Sequence, residues 1–183
     1  MKTKFLIIAA VFSIAFTSCK KEAEAKTEAA PNVQAKENFS VEVDVIAEKD
    51  DDYALYYTED GTIAFNGDHA VWHGAKGQPD PQQIVFNLSE EIIPTNIRLD
   101  FGLKKGADQG DVTLRNVKVT YYGKSFEFKG VDFLKYFIEN KDVKTELNAA
   151  NGTIKFLKNP SGTSVPFYYP TQLLVDEIAK ITK

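Results

Sequence analysis

Apolar and polar residues alternate with a period of two through most of the chain after residue 38. From Phe39 to Val45, phenylalanine and valines occupy every second position, with Ser, Glu and Asp between them. Successive side chains of a strand point to opposite faces, so this alternation predicts a half-buried β-strand. The same pattern predicts further strands over residues 53–58, 84–88, 97–101, 112–121, 126–128 and 154–156.

The alternation changes phase within the longest of these segments. Val112 and Leu114 lie in one phase, whereas Val117 and Val119 lie in the other. A one-residue slip inside a strand is typical of a β-bulge. Glycine-containing turns at residues 122–124 and at Asn151-Gly152 predict hairpins beside the neighbouring strands.

Two segments have helical spacing of their apolar residues. One runs from Val131 to Asn140, and the other from Thr171 to Lys183 with Pro170 before it. Many short strands with two short helices predict a mainly β chain, an antiparallel β-sandwich whose second helix is at the C-terminus. Residues 39–183, a stretch of 145 residues, have the usual length of one domain.

The first 19 residues have the pattern of an export signal. Lys2 and Lys4 precede a run over residues 5–16 that is apolar except for Ser13, and small polar residues lead to Cys19, the only cysteine. Twelve residues make about 18 Å of helix, too short for a hydrocarbon core of about 30 Å. We therefore interpret residues 1–18 as a cleaved signal peptide. Two interpretations of Cys19 follow from this pattern. Either the cysteine is lipidated after cleavage, or an ordinary signal peptide is followed by an incidental thiol.

The segment Phe16-Thr17-Ser18-Cys19 resembles the lipobox of bacterial lipoproteins. The resemblance implies that Cys19 is acylated, for example with palmitate, and becomes the first residue of the mature chain. Lys20, in place of aspartate, resembles the pattern of lipoproteins sent to the outer membrane. This implies a lipid anchor in the outer membrane of the cell envelope, and leaves open whether the protein faces the periplasm or the cell surface.

Residues 19–38 combine the lipidation site with a segment poor in large apolar residues. Alanine, glutamate and lysine dominate it, and Pro31 interrupts any helix. We interpret this segment as a flexible tether. Without Lys2 and Lys4 the chain has 20 basic and 26 acidic side chains, a net charge of −6. An acidic surface argues against a nucleic-acid partner.

A motif of spaced residues within 72–114 is the basis of a second resemblance to a known family, this time for the domain. The strand end Arg98-x-Asp100-x-Gly102 precedes Gly110-x-Val112-x-Leu114. This resembles the jelly-roll sandwiches of galactose-binding and carbohydrate-binding modules on bacterial cell-surface proteins. Arg98 and Asp100 are two apart on one strand, so we expect both on the same side, paired and bracing the sandwich.

The aromatic and polar residues around the only tryptophan are the candidate ligand-binding site. Trp72 lies in a glycine-containing stretch that we interpret as a loop, and Tyr56, Tyr57, Asp68 and His73 could complete a sugar site. The alternative is that Trp72 packs in the sandwich core. Likewise, the aromatic segment 166–170 could form a binding platform or could hold the last helix against the sandwich.

Metal and catalytic motifs do not emerge from the sequence. His69 and His73 would lie about 13 Å apart in extended chain, too far to share a zinc ion. The turn Asp50–Asp52 and the loop 104–111 could supply ligands to a structural calcium, although neither fits the twelve-residue calcium loop. We expect no other cofactor.

Motifs of serine hydrolases, zinc proteases and nucleotide-binding enzymes are missing, although two carboxylates could still form a glycosidase site.

These observations predict a membrane-tethered, non-catalytic lipoprotein whose sandwich binds glycan or another envelope component. The alternative is a structural or assembly lipoprotein that docks on a protein partner of the envelope. A hydrolase is the third and weakest hypothesis.

Overall fold

The computed structural model describes residues 38–103, 109–157 and 165–183. These residues form eleven strands, which are, in chain order, β1 Ser40–Ala47, β2 Asp51–Thr58, β3 Ala70–Ala75, β4 Gln82–Asn87, β5 Asn96–Phe101, β6 Val112–Tyr121, β7 Lys124–Lys129, β8 Phe137–Glu139, β9 Thr145–Leu147, β10 Thr153–Phe156 and β11 Phe167–Pro170. They also form two helices, α1 Phe133–Tyr136 and α2 Gln172–Thr182. The predicted signal peptide, the predicted acylation site at Cys19, the predicted tether up to residue 37 and part of the loop 104–111 lie outside the described residues.

The strands form two antiparallel sheets in a sandwich-like arrangement, as predicted. The first sheet has the order β4-β1-β6-β10-β9, with β7 also paired to β6. The second has the order β3-β2-β5-β11-β8. Chain neighbours such as β1 and β2 therefore belong to different sheets.

The alternating apolar residues form the core between the sheets. Phe39 and the valines of β1 have no exposed surface, and they share one cluster with Leu55 of β2 and Leu99 of β5. The intervening Glu42 and Asp44 are only partly buried, which confirms the strand prediction for this segment. Burial of these side chains is the main favourable contribution to folding.

A β-bulge lies where the alternation changes phase. Asp44 of β1 pairs with Asn116, whereas the next residue, Val45, pairs with Leu114. Arg115 is therefore the extra residue of β6, and its side chain is exposed. The bulge keeps the valines and leucine on both sides of it on the core face, which confirms the predicted irregularity.

Positive backbone torsions close the two predicted hairpins. Tyr122 and Gly123 have φ angles of 44° and 77° between β6 and β7. Gly152 has a φ angle of 76° immediately before β10, which pairs with β9. The two-residue β6–β7 turn favours such torsions because they match the twist of the strands, whereas residues 148–152 form a longer, five-residue connection between β9 and β10.

Both predicted helices are present, with the second at the C-terminus, but the first is shorter than predicted. A 3-10 turn at Gly130–Asp132 leads into α1, so the helical segment ends at Tyr136 and not at Asn140. Residues 133–136 form one helical turn, but Phe137 begins strand β8, which pairs with β11. Sheet hydrogen bonds with a distant segment override the local helical spacing here. Helix α2 begins after Thr171, whose hydroxyl accepts a hydrogen bond from the backbone N–H of Leu174.

Four strands were not predicted. They are β3, in the stretch that we had interpreted as a loop, and the short strands β8, β9 and β11. The interpretation of residues 66–74 as a loop is wrong from residue 70 onward. Strand β3 is an edge strand of the second sheet, so it pairs only with β2 and tolerates exposed residues and a glycine.

Candidate functional site

Four of the five predicted ligand-binding residues lie on the second sheet and divide between its two faces, whereas Asp68 lies in a turn before β3. On β2, Tyr53, Leu55 and Tyr57 face the core, so Tyr56 points to the outer face. Trp72 of β3 is the cross-strand partner of Ala54 and lies on that same outer face. Tyr56 and Trp72 thus come together as expected.

Trp72 lies on the surface and not in the core. Its exposed fraction is 44 %, and its ring packs edge-to-face against Tyr56 with 5.9 Å between the ring centroids. The alternative in which Trp72 packs between the sheets is therefore wrong. An edge strand leaves its outward side chain without a neighbour on one side, which explains this exposure.

The other three predicted residues do not join Trp72. Tyr57 is buried on the core face, where its ring stacks on His69 with 5.1 Å between the centroids. His73 is the next residue after Trp72 and points to the opposite face of β3. Asp68 lies in an exposed 3-10 turn, where its backbone N–H donates to the side chain of Asn66.

The predicted pair Arg98 and Asp100 is present on the outer face, in the middle of the sheet. Arg98 Nε donates to Asp100 Oδ1 at 2.8 Å, and Nη2 donates to Oδ2 at 2.7 Å. The exposed fractions of the two side chains are 14 % and 3 %. Burial raises the pKa of the Asp100 carboxyl above its ordinary value, because desolvation outweighs the hydrogen bonds and charge of Arg98.

Aromatic rings surround the Arg98 guanidinium. Its central carbon lies 4.0 Å from the ring centroid of Tyr56, 4.5 Å from that of Phe167 and 5.7 Å from that of Phe65. Arginine stacks on such rings because its planar cation is attracted to the negative π face. The arginine is therefore held between β2 and β11.

Two further aromatic contacts extend this surface. Tyr169 of β11 contacts Phe167 and Phe65, with centroid distances of 5.3 and 6.0 Å. We call the surface formed by Tyr56, Phe65, Trp72, Arg98, Phe167 and Tyr169 the outer aromatic face. Segment 166–170 contributes two rings to it, while Tyr168 is buried in the core. Burial of Tyr168 raises the pKa of its hydroxyl.

The strand register sets the length of the outer aromatic face. Trp72, Ala54, Asp100 and Phe167 are successive cross-strand partners on β3, β2, β5 and β11. Three strand spacings of about 4.8 Å place the ends of this row about 14 Å apart. The row joins residues 95 positions apart in the chain, so sequence spacing contained no signal for it. The run of aromatic residues in 166–170 was the only signal for Phe167 and Tyr169.

Neither metal hypothesis gains a ligand cluster. Within residues 38–103, 109–157 and 165–183, no group of three or more His, Cys, Asp or Glu side chains lies close enough to hold an ion. In the acidic turn, Asp50 Oδ1 accepts a hydrogen bond from the backbone N–H of Gly77, and Asp51 Oδ1 accepts one from Leu103. These carboxylate oxygens thereby connect loops.

A polar cleft at the other sheet contains two carboxylates. It has a volume of about 430 Å³ and is lined by Asp111, Glu146 and Lys155 together with Asn148, Asn151 and Thr153. Asp111 Oδ1 accepts a hydrogen bond from the backbone N–H of Phe156 at 3.2 Å. One of the two carboxylates is thus already used in holding the backbone of β10, and the cleft has no aromatic wall to hold a sugar.

Comparisons with known proteins found no matching family model, no matching curated protein and no matching solved structure. Among the helices of the described residues, none has both the length and the apolar character required to cross a membrane.

Proposed function

We propose that this chain is a lipid-anchored, non-catalytic protein of the bacterial envelope whose sandwich domain binds glycan through the outer aromatic face. The observation that carries the proposal is the exposed Trp72 ring beside Tyr56, on the same face as the aromatic rings around Arg98. Sugar rings present C–H groups on their faces and hydroxyls at their edges. Aromatic side chains offer a complementary apolar surface to the former, and Tyr and Trp add polar groups for the latter.

The size of the surface suits a ligand longer than one sugar ring. A row of about 14 Å across the strands allows a chain to contact Trp72 at one end and Phe167 at the other. The exposure of Trp72 at one end of this row favours a polymer lying along a surface over a small enclosed ligand. The proposed ligand is therefore an oligosaccharide or polysaccharide.

The anchor rests on the signal pattern that ends at Cys19. Acylation at this residue with two or more chains would hold the domain beside the membrane, because a single acyl chain gives only marginal membrane binding. We propose the outer membrane as the location, with either face as the exposure. Metabolic labelling with palmitate should mark the protein and fail with Cys19→Ser. Labelling that persists in this variant would contradict the anchor.

The glycan proposal is tested by binding of the full, acylated chain in detergent micelles to a panel of immobilised polysaccharides. Trp72→Ala should weaken binding at least about tenfold, which corresponds to about 1.4 kcal/mol. The matched control is Tyr122→Ala, which removes an aromatic ring that is 55 % exposed at the β6–β7 turn of the first sheet. Failure to bind any polysaccharide, or an equal loss in both variants, would refute the proposal.

A protein partner is the second candidate function, favoured by exposed leucines on the two helices. Leu173 of α2 and Leu134 of α1 are each more than 40 % exposed, and the two helices contact each other. Crosslinking in the native envelope should then recover one stoichiometric partner, and Leu173→Lys should lose it. A point substitution is needed because α2 also buries Leu174 and Ile178, so deleting the helix would disrupt the core.

A further inference from the structure

We infer that the outer aromatic face selects uncharged glycans over acidic ones, because Arg98 serves there as a neutralised planar surface and not as an anion receptor. This inference rests on the proposed glycan function and names the chemical class of its ligand. Arginine at a binding surface usually indicates recognition of carboxylate or phosphate. The surroundings of Arg98 argue against that role.

The first argument is that one of the two N–H edges of Arg98, the Nε–Nη2 edge, is already occupied by a carboxylate. Nε and Nη2 both donate to the carboxylate of Asp100, in the parallel two-bond geometry that an anionic ligand would need. Asp100 is a fixed counterion, because only 3 % of its side chain is exposed. A ligand carboxylate that took over this edge would leave Asp100 buried without its partner, which is strongly unfavourable.

The second argument concerns the approach to the guanidinium plane. The rings of Tyr56 and Phe167 lie 4.0 and 4.5 Å from the guanidinium carbon, and only 14 % of the Arg98 side chain is exposed. The faces of aromatic rings carry negative electrostatic potential, which repels an anion. Approach over the rings is therefore favourable for C–H groups and unfavourable for carboxylates.

The third argument is the charge of the whole surface. Of the six residues that define the outer aromatic face, Arg98 is the one cation, and Asp100 neutralises it. The remaining members are aromatic and uncharged, and the chain as a whole is acidic. Long-range attraction of a polyanion is thus absent, so an uncharged polymer complements this surface best.

The test uses pairs of polysaccharides that differ only at carbon 6, where a hydroxymethyl group is replaced by a carboxylate. Suitable pairs, matched in linkage and anomeric configuration, are soluble β-1,4-mannan with β-1,4-polymannuronate, and soluble β-1,4-glucan with β-1,4-glucuronan. The full chain in detergent micelles should bind the neutral member of one pair at least about tenfold more tightly than its acidic counterpart. Binding should change less than about twofold between 50 and 500 mM salt, because no charge pair is formed with the ligand.

Asp100→Asn provides the decisive variant. Removing the counterion should free Arg98, so affinity for the acidic polymer should rise at least about tenfold and become salt-dependent. Glu127→Gln, on an exposed position of β7, makes the same change in net charge on the other sheet and should have no such effect. If Asp100→Asn fails to fold, the double variant Arg98→Met/Asp100→Leu should still prefer the neutral polymer.

The outcomes separate the two proposals. Wild-type protein that binds the acidic member more tightly, with affinity falling as salt is added, overturns the neutral selectivity but keeps glycan binding. An Asp100→Asn variant that folds without gaining affinity for the acidic polymer also overturns the role assigned to Arg98. Protein that binds neither member of any pair overturns both proposals.

Discussion

The Arg98 and Asp100 side chains should be strongly coupled, so that losing either one alone is far more damaging than losing both. Exposed ion pairs contribute only about 0–1 kcal/mol. This pair is different because Asp100 is almost fully buried and two short hydrogen bonds join the groups. Removing one partner of a buried pair costs about 3–5 kcal/mol, because an uncompensated charge remains.

Arg98→Met is the perturbation that isolates this effect, since methionine retains an apolar stem between Tyr56 and Phe167. We expect it to lower the free energy of unfolding at pH 7 by about 3–5 kcal/mol. With a urea dependence of about 2 kcal/mol per M, the unfolding midpoint should fall by about 1.5–2.5 M. The double variant Arg98→Met/Asp100→Leu should lie within about 1.5 kcal/mol of the wild type, since apolar replacement of a whole buried pair is often neutral.

Urea unfolding, followed by tryptophan fluorescence and by circular dichroism, is measured for the wild type, Arg98→Met, Asp100→Leu and the double variant, which together form a double-mutant cycle. Agreement of the two probes would confirm that each unfolds in one step. The refuting result is additivity. If the double variant loses as much stability as the sum of the single variants, the two side chains are not energetically coupled and the pair does not hold the face together.

Three further predictions concern packing, capping and pH. Gly130→Ala should lower the free energy of unfolding by about 3 kcal/mol, because a Cβ atom there would lie 1.8 Å from the carbonyl oxygen of Leu114. The control is Gly67→Ala, where a Cβ atom meets open space. In urea unfolding this control should stay within about 0.5 kcal/mol of the wild type. Thr171→Ala should cost about 1 kcal/mol, measured as a lower melting temperature, because α2 loses its N-terminal cap; an unchanged melting temperature would contradict the cap. Burial raises the pKa of Asp100 above 3.8, so the folded protein retains this proton where the unfolded chain has released it. The contribution of the Asp100 carboxyl to the free energy of unfolding is thus present below pH 3.8 and is lost as the pH rises through the pKa of the folded state. Over that range, the free energy of unfolding of the wild type relative to Asp100→Asn should decrease. An increase would show that Arg98 outweighs desolvation.

Local pattern was sufficient for much of the sandwich. The apolar residues of β1 alternate without interruption, and burial of one face against the opposite sheet requires that pattern. The phase change near Arg115 located the bulge for the same reason, because both halves of β6 must present apolar residues to one core. Helix α2 was predictable because Pro170 and the Thr171 cap mark its start.

The segments that escaped prediction depend on partners distant in the chain. Strand β8 exists because Phe137 pairs with Pro170, 33 positions later, and β3 exists because Trp72 pairs with Ala54 across a long loop. Neither has enough local pattern to be recognised, since an edge strand needs fewer apolar positions and a three-residue strand has no period.

Some features of the candidate site could also be predicted from local sequence, whereas others depend on strands distant in the chain. The two-residue spacing of Arg98 and Asp100 was enough to place both on one side and to predict their pairing, because strand geometry alone decides it. Alternation also implies that the adjacent Tyr56 and Tyr57 face opposite ways. What tertiary structure alone decided is which face is covered by the other sheet, which register brings Phe167 beside Asp100, and that Trp72 is exposed at an edge. Those features depend on contacts between strands that are distant in the chain, and the sequence of one strand does not identify the strands with which it pairs.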